Sequence, residues 1–232
     1  MPKDAKGRRK GKGIAAAGRK GPTPALIGGL VVVVLFAAVV GFGIYRSQQS
    51  ASGTDAALPT GATAAGLTIG NAAAPATIDI YLDFQCPICK AYEAQSGATI
   101  DSMVAAGKAK VVYHPVAFLD SKSSTQYSTR ASAASGCAAT AGVFPQFLKL
   151  LYANQPPENA AGLPDEQLVS LAEQAGAPAG SIEQCISNGT YKPWTAGVTD
   201  AASKAGVNGT PTVLVNGKEI DNTDAALRTA VG

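Results

Sequence analysis

Two cysteines with two residues between them, Cys86 and Cys89, stand between a run that alternates like a strand and a run spaced like a helix. From Ala76 to Phe84 the sequence ATIDIYLDF sets Ile78, Ile80, Leu82 and Phe84 against Asp79, Tyr81 and Asp83, a period of two. Pro87 then opens a stretch to Ala106 in which Tyr92, Ile100, Met103 and Val104 recur at helical spacing, and proline suits a first helical position. The pattern predicts that Cys86 sits at a helix N-terminus. A second strand, Ala109 to Val116, follows Gly107, so the unit is strand, helix, strand, with the strands parallel and the crossover right-handed.

The rest of the chain completes an α/β domain. Helical spacing runs from about Asp120 to Gly189. Within it Leu168, Leu171, Ala172 and Ala175 form one face of a helix opened by Pro164, Asp165 and Glu166 and closed by Gly176. Ser181 to Gln184 reads as a capping box starting another helix. A helix to Ala205, the run Pro211 to Val215, the turn pair Asn216-Gly217, the run Lys218 to Ile220 and a helix from Asp224 follow. Asn-Gly between two short apolar runs signals a hairpin.

The chemistry is expected from placement. The thiolate is the reactive form of cysteine, and unpaired N–H groups and the positive dipole end at a helix N-terminus stabilise it. Cys86 is expected to be the exposed sulfur that a substrate attacks, and Cys89, one turn inward, the buried partner that closes the internal disulfide. Four cysteines allow three pairings, of which Cys86–Cys89 with Cys137–Cys185 keeps the C-x-x-C unit intact. Cys137 shares a helical face with Ala134, Ala138 and Ala141, so its bond to Cys185 reads as structural. Half a zinc site is the competing reading of C-x-x-C, but the other half is missing, and His114 at a strand end reads as packed rather than catalytic. No metal and no cofactor are expected.

Outside this domain the chain changes character. Residues 25–45, ALIGGLVVVVLFAAVVGFGIY, carry no charge, and their 21 positions span about 31 Å as a helix, the thickness of a membrane's hydrocarbon core. Residues 1–24 hold eight Lys and Arg against one Asp, which places the N-terminus in the cytoplasm and everything after Tyr45 outside. A cleaved signal with Ser50-Ala51-Ser52 as its site is the alternative. Residues 46–66 read as a flexible tether and 67–232 as the folded domain, with a helical insert at about 120–190. All four cysteines lie beyond the apolar segment, on the side where disulfides persist. The net charge of +3 comes from the arm, because residues 47–232 carry fifteen acids against ten bases. A mildly acidic domain argues against nucleic-acid binding.

YLDFQCPIC, followed far downstream by VNGTPTVLVNGK, resembles the DsbA-like thiol-disulfide oxidoreductases of the thioredoxin superfamily, over about residues 67 to 232. The resemblance implies a thioredoxin fold with an inserted helical domain, here preceded by one transmembrane helix as in the anchored actinobacterial branch. It implies a cis peptide at Thr210-Pro211 beside Cys86, and a substrate chain held by Thr210, Pro211, Pro87 and Ile88. Two positions depart from the pattern. Ile88 stands where some relatives have a histidine that stabilises the thiolate, and Ile80 stands where many bury an acid. Asp79 and Asp83 fall on the opposite face by parity, so no residue is assigned to proton transfer at Cys89.

The function this implies is donation of the Cys86–Cys89 disulfide to exported cysteine-containing proteins, with reoxidation by a membrane quinone-linked partner of DsbB or vitamin K epoxide reductase type. A monomer at the cell membrane, its catalytic domain extracytoplasmic, is the expected form. A thiol reductase of the same fold and a non-catalytic, disulfide-stapled binding module are the rival readings.

Overall fold

The computed structural model describes residues 57–232. The basic arm at 1–24, the apolar segment at 25–45 and residues 46–56 of the tether lie outside the described residues. Among the described residues no helix is long and apolar enough to cross a membrane.

Five strands form one sheet: β1 (Leu67–Ile69), β2 (Ala76–Leu82), β3 (Ala109–Pro115), β4 (Thr212–Val215) and β5 (Lys218–Ile220), in the order β1-β3-β2-β4-β5. β2 and β3 are parallel, in register at Ile80 and Tyr113, as the strand-helix-strand reading requires, and the other three pairs are antiparallel. Ile78, Ile80 and Leu82 are buried at every second position of β2, whereas Asp79 and Tyr81 are partly open. The hairpin turns on Asn216 and Gly217, both at positive φ (51° and 77°), the geometry that makes Asn-Gly suitable there.

Among the described residues there are seven helices, α1 (Pro87–Ala105), α2 (Tyr127–Thr140), α3 (Phe144–Ala153), α4 (Asp165–Gln174), α5 (Ala179–Ser187), α6 (Lys192–Lys204) and α7 (Asp224–Val231), of which α1, α6 and α7 pack on the sheet. α1 packs with α7, and α6 packs on β3 and on α2. The insert, α2 to α5, follows a single 3-10 turn at Asp120–Lys122. Helix α2 is buried along most of its length, from Ala131 to Ala139, and is built of Ala, Ser, Gly and Cys. Small side chains let α3, α4, α5 and α6 all approach it, which is one use of the chain's 44 alanines. Phe144, Phe147, Leu148, Leu151, Leu168 and Trp194 fill the space around it.

Four sequence expectations change. The strand from Ala76 ends at Leu82, so parity stops there, and both Asp83 and Phe84 are fully buried. Residues 57–66 are not a free tether: Ala62 bridges Leu67, Pro59 and Gly66 are buried, and Trp194 Nε1 donates to the Thr63 carbonyl at 2.9 Å. α5 begins two residues before the capping box, so Ser181 lies inside its first turn and donates back to the Pro178 carbonyl. β1 was not foreseen, because three residues are too few to display a period.

Candidate active site

The site lies at the C-terminal end of β2, the middle strand of the sheet. After Leu82 the chain turns, Cys86 N–H donating to the Asp83 carbonyl at 3.0 Å, and enters α1 with Cys86 as N-cap. Cys86 Sγ accepts from the Cys89 backbone N–H at 3.4 Å, one of the donors a helix start leaves unpaired. Pro87 occupies the first turn, where its missing N–H costs nothing. β4 runs beside β2, and the cis Thr210–Pro211 peptide that precedes it brings the Thr210 carbonyl 3.2 Å from Cys86 Sγ, where it accepts from the protonated thiol. Thus Cys86, Cys89, Thr210 and Pro211 converge. Cys86 and Cys89 are present as free thiols.

Their exposures differ from expectation in one respect. Cys86 is 5% exposed and Cys89 2%, so Cys86 is not an open sulfur: the neighbouring thiol and the cis-peptide loop cover it. The exposed members of the motif are Pro87 and Ile88, the latter 60% exposed. Activation of Cys86 therefore rests on its surroundings rather than on access. The Cys89 thiol, the Thr210 side chain and the backbone N–H groups of Cys89 and Ile88 all favour its thiolate, and together they outweigh burial and hold its pKa at about 6. Burial pushes the Cys89 thiol far up. The pair is asymmetric: one sulfur ionises at neutral pH and the other keeps its proton.

The turn that presents Cys86 is held from the insert. Asp83, with no exposed surface, accepts from Ser128 Oγ (2.7 Å), Gln85 N–H (2.9 Å) and Leu119 N–H (2.9 Å). Burial raises its carboxyl pKa to about 6 against these three donors, with the Cys86 charge adding to the rise. Gln85 reaches the Lys122 carbonyl at 2.8 Å, and Gln155, just beyond α3, donates to the carbonyls of both Phe84 and Cys86. Sequence reasoning missed Asp83, Ser128 and Gln155 as supports of this turn. An acid three residues before the motif was the only available sign.

The remaining candidates lie apart. Cys137 on α2 and Cys185 on α5 are joined by a disulfide, Cα to Cα 5.9 Å, inside the insert. His114 is buried at the end of β3, with Nδ1 2.7 Å from the Ala65 carbonyl and Nε2 3.0 Å from Asp79, stacked on Tyr81. It packs residues 57–66 against the sheet and does not reach the cysteines.

The family description "Thioredoxin" matches residues 62–231. The chain belongs to the thioredoxin family. Among solved thioredoxin-fold proteins it is similar to reduced DsbA from Mycobacterium tuberculosis, at 32% identity and a TM-score of 0.64, covering 72% of this chain and 90% of that one. Reduced DsbG, a disulfide bond oxidoreductase of the same organism, is similar at 32% identity and a TM-score of 0.65, over 74% and 88%. MdbA from Corynebacterium diphtheriae shares the fold at 23% identity and a TM-score of 0.65, over 79% and 98%. A curated relative, the serine/threonine-protein kinase PknE of M. tuberculosis, is 39% identical over 131 residues, 53% of this chain and 23% of that protein. The chain thus spans about a quarter of that relative's length. Within the thioredoxin family the chain is a DsbA-like thiol-disulfide oxidoreductase.

Proposed function

We propose that the chain is an oxidase anchored in the cell membrane, N-terminus cytoplasmic, which donates the Cys86–Cys89 disulfide to exported proteins. The asymmetry of the two sulfurs carries this reading. A substrate thiolate attacks Cys86 Sγ, the Cys86–Cys89 bond breaks, and Cys89 leaves with the electron pair and takes a proton. A second substrate thiolate then attacks the substrate sulfur of the mixed disulfide and expels Cys86 as its thiolate, an easy leaving group because its pKa is low. The substrate has lost two electrons and the pair has gained them. A membrane quinone-linked partner of DsbB or vitamin K epoxide reductase type removes them again. Pro87, Ile88, Thr210 and Pro211 flank Cys86 and would hold the substrate chain.

One observation favours a second reading, the reductase. Asp83 places a carboxylate near Cys86, which opposes the thiolate and draws the pair toward reducing behaviour. Trapping in cells tests the choice: Cys89→Ala in the full chain should accumulate mixed disulfides with exported proteins still holding unpaired cysteines. Partners recovered only from proteins already oxidised would indicate the reductase. Protease added to intact spheroplasts should remove the domain and spare residues 1–24, whereas a mature chain beginning near Gly53 would refute the anchor.

A further inference from the structure

Three asparagines of the chain, Asn188, Asn208 and Asn216, are each followed by glycine. Glycine has no Cβ to crowd its amide nitrogen, so at such a step that nitrogen can close on the asparagine side chain. The fold treats the three steps differently. Asn216, in the turn between β4 and β5, accepts from the Thr77 N–H through its side-chain oxygen at 2.9 Å and gives its own N–H to the Thr77 carbonyl at 2.8 Å. Asn188 caps the end of α5, its N–H on the Gln184 carbonyl at 3.1 Å, and the nitrogen that would attack, that of Gly189, donates to the Ile186 carbonyl at 2.9 Å. Asn208 and Gly209 are both exposed, in the loop between α6 and β4. Among the described residues the Gly209 N–H has no hydrogen-bond partner, and the Asn208 side chain makes one local contact, Nδ2 donating to the Gly206 carbonyl at 2.9 Å. A Cβ placed on Gly209 would meet nothing within 4 Å, so the space around the attacking nitrogen is open.

This step adjoins the exchange centre. Gly209 precedes the cis Thr210–Pro211 peptide, its carbonyl accepts from Thr212 Oγ1 at 2.9 Å, and the Thr210 carbonyl lies 3.2 Å from Cys86 Sγ. We infer that Asn208–Gly209 is a modification site, at which the asparagine converts without an enzyme to aspartate or isoaspartate, and that the product weakens the Cys86–Cys89 pair as an oxidant. The Gly209 nitrogen loses its proton and bonds to Asn208 Cγ, the Cγ–Nδ2 bond breaks, and ammonia leaves a five-membered imide. Water then opens the ring at either carbonyl, to aspartate or to isoaspartate, with no electron transferred. Both products place a carboxylate two residues from Thr210, where it opposes a thiolate on Cys86. Isoaspartate also lengthens the main chain by one carbon before Gly209, which shifts Thr210, one of the groups that favour the thiolate. A less stable thiolate disfavours the reduced pair, so the disulfide becomes a weaker oxidant.

The modification is independent of disulfide donation, and mapping it involves no thiol. The full chain, with its cysteine pair oxidised, is incubated at pH 8 and 37 °C and sampled by peptide mass mapping that separates aspartate from isoaspartate. Asn208 should convert about tenfold faster than Asn188 or Asn216, the order set by a hydrogen bond that must first open at those two sites. In urea, where the sequence alone acts, the three should convert at similar rates. Conversion at Asn188 or Asn216 as fast as at Asn208 in the folded chain, or the same spread of rates in urea, would overturn the site. Gly209→Ala, which the open space accommodates, should slow conversion at Asn208 and leave the other two as they were. An unchanged rate in that variant would refute attack by the Gly209 nitrogen. Converted protein, separated from the unconverted chain and reduced, should show its Cys86 thiolate midpoint raised by roughly a few tenths of a pH unit, the order of one added charge near a surface. Asn208→Asp should reproduce the part of that rise due to charge. A midpoint equal to that of the unconverted chain would overturn the link to the exchange centre, whether or not the chain oxidises exported proteins.

Discussion

The side-chain amide of Gln155 donates to the main-chain carbonyl of Cys86 at 3.0 Å and to that of Phe84 at 2.9 Å, joining the insert to the turn that carries the reactive sulfur. The Phe84 and Cys86 carbonyls thus have a partner 69 residues or more away in sequence. Replacing Gln155 by Leu should cost about 1–3 kcal/mol through the Phe84 carbonyl it leaves without a donor, the Cys86 carbonyl keeping the Lys90 N–H, and should raise the Cys86 pKa as the helix start loosens. Urea unfolding and thiolate absorbance against pH check the two effects.

Thiolate chemistry should set the pH profile of reactivity. With a folded pKa near 6, Cys86 should be mostly ionised at pH 7 and its alkylation by a small reagent half-maximal near pH 6, while Cys89 stays silent. The same depression links redox state to stability. A pKa held below the ordinary ~8.5 stabilises the folded reduced form fully above that value, and the stabilisation is lost as pH falls through about 6. Urea unfolding of reduced and oxidised protein at pH 8.5 and pH 5 should therefore place the reduced form relatively lower at pH 5.

Cys137→Ala should destabilise the insert without abolishing thiol exchange. Closing a loop of 48 residues corresponds to about 4 kcal/mol in the chain-entropy treatment. The Cys86 thiolate is stabilised and leaves easily, whereas Cys137 and Cys185 have no such helix-start donors, so reductants that open Cys86–Cys89 should leave this bridge intact. Mass mapping of the oxidised chain that pairs Cys137 or Cys185 with Cys86 or Cys89 would contradict this.

What the sequence reveals and what it hides divide along physical lines. The strand, cysteine motif and helix are legible because period two, a proline at a helix start and a period of 3.6 are local signals. The Asn216-Gly217 hairpin is legible for the same reason. Asp83 was placed on the wrong face because parity was carried one residue past the end of β2, where the chain turns beneath the insert. Gln155 and Ser128 act across gaps of 45 residues or more, and no local pattern announces them. Residues 57–66 read as linker from composition alone, yet Trp194 and His114 pin them through backbone carbonyls, which composition does not record.

Ile88→His should lower the Cys86 pKa and make the disulfide more oxidising, because an imidazole at this exposed position can donate to the Cys86 sulfur or pair with its charge. Thiolate absorbance of the variant against the unsubstituted chain measures it. No change would mean that Ile88 does not face the sulfur.

The glutathione equilibrium of the Cys86–Cys89 pair tests the oxidase reading most directly. A Cys86 thiolate stabilised by the helix start, and opposed by Asp83, places the couple between thioredoxin, about −270 mV, and DsbA, about −120 mV. A potential inside that interval, above the roughly −230 mV lower end of the glutaredoxin range, is the expected result. A value at or below that of thioredoxin would contradict donation of the disulfide and leave the chain a reductase.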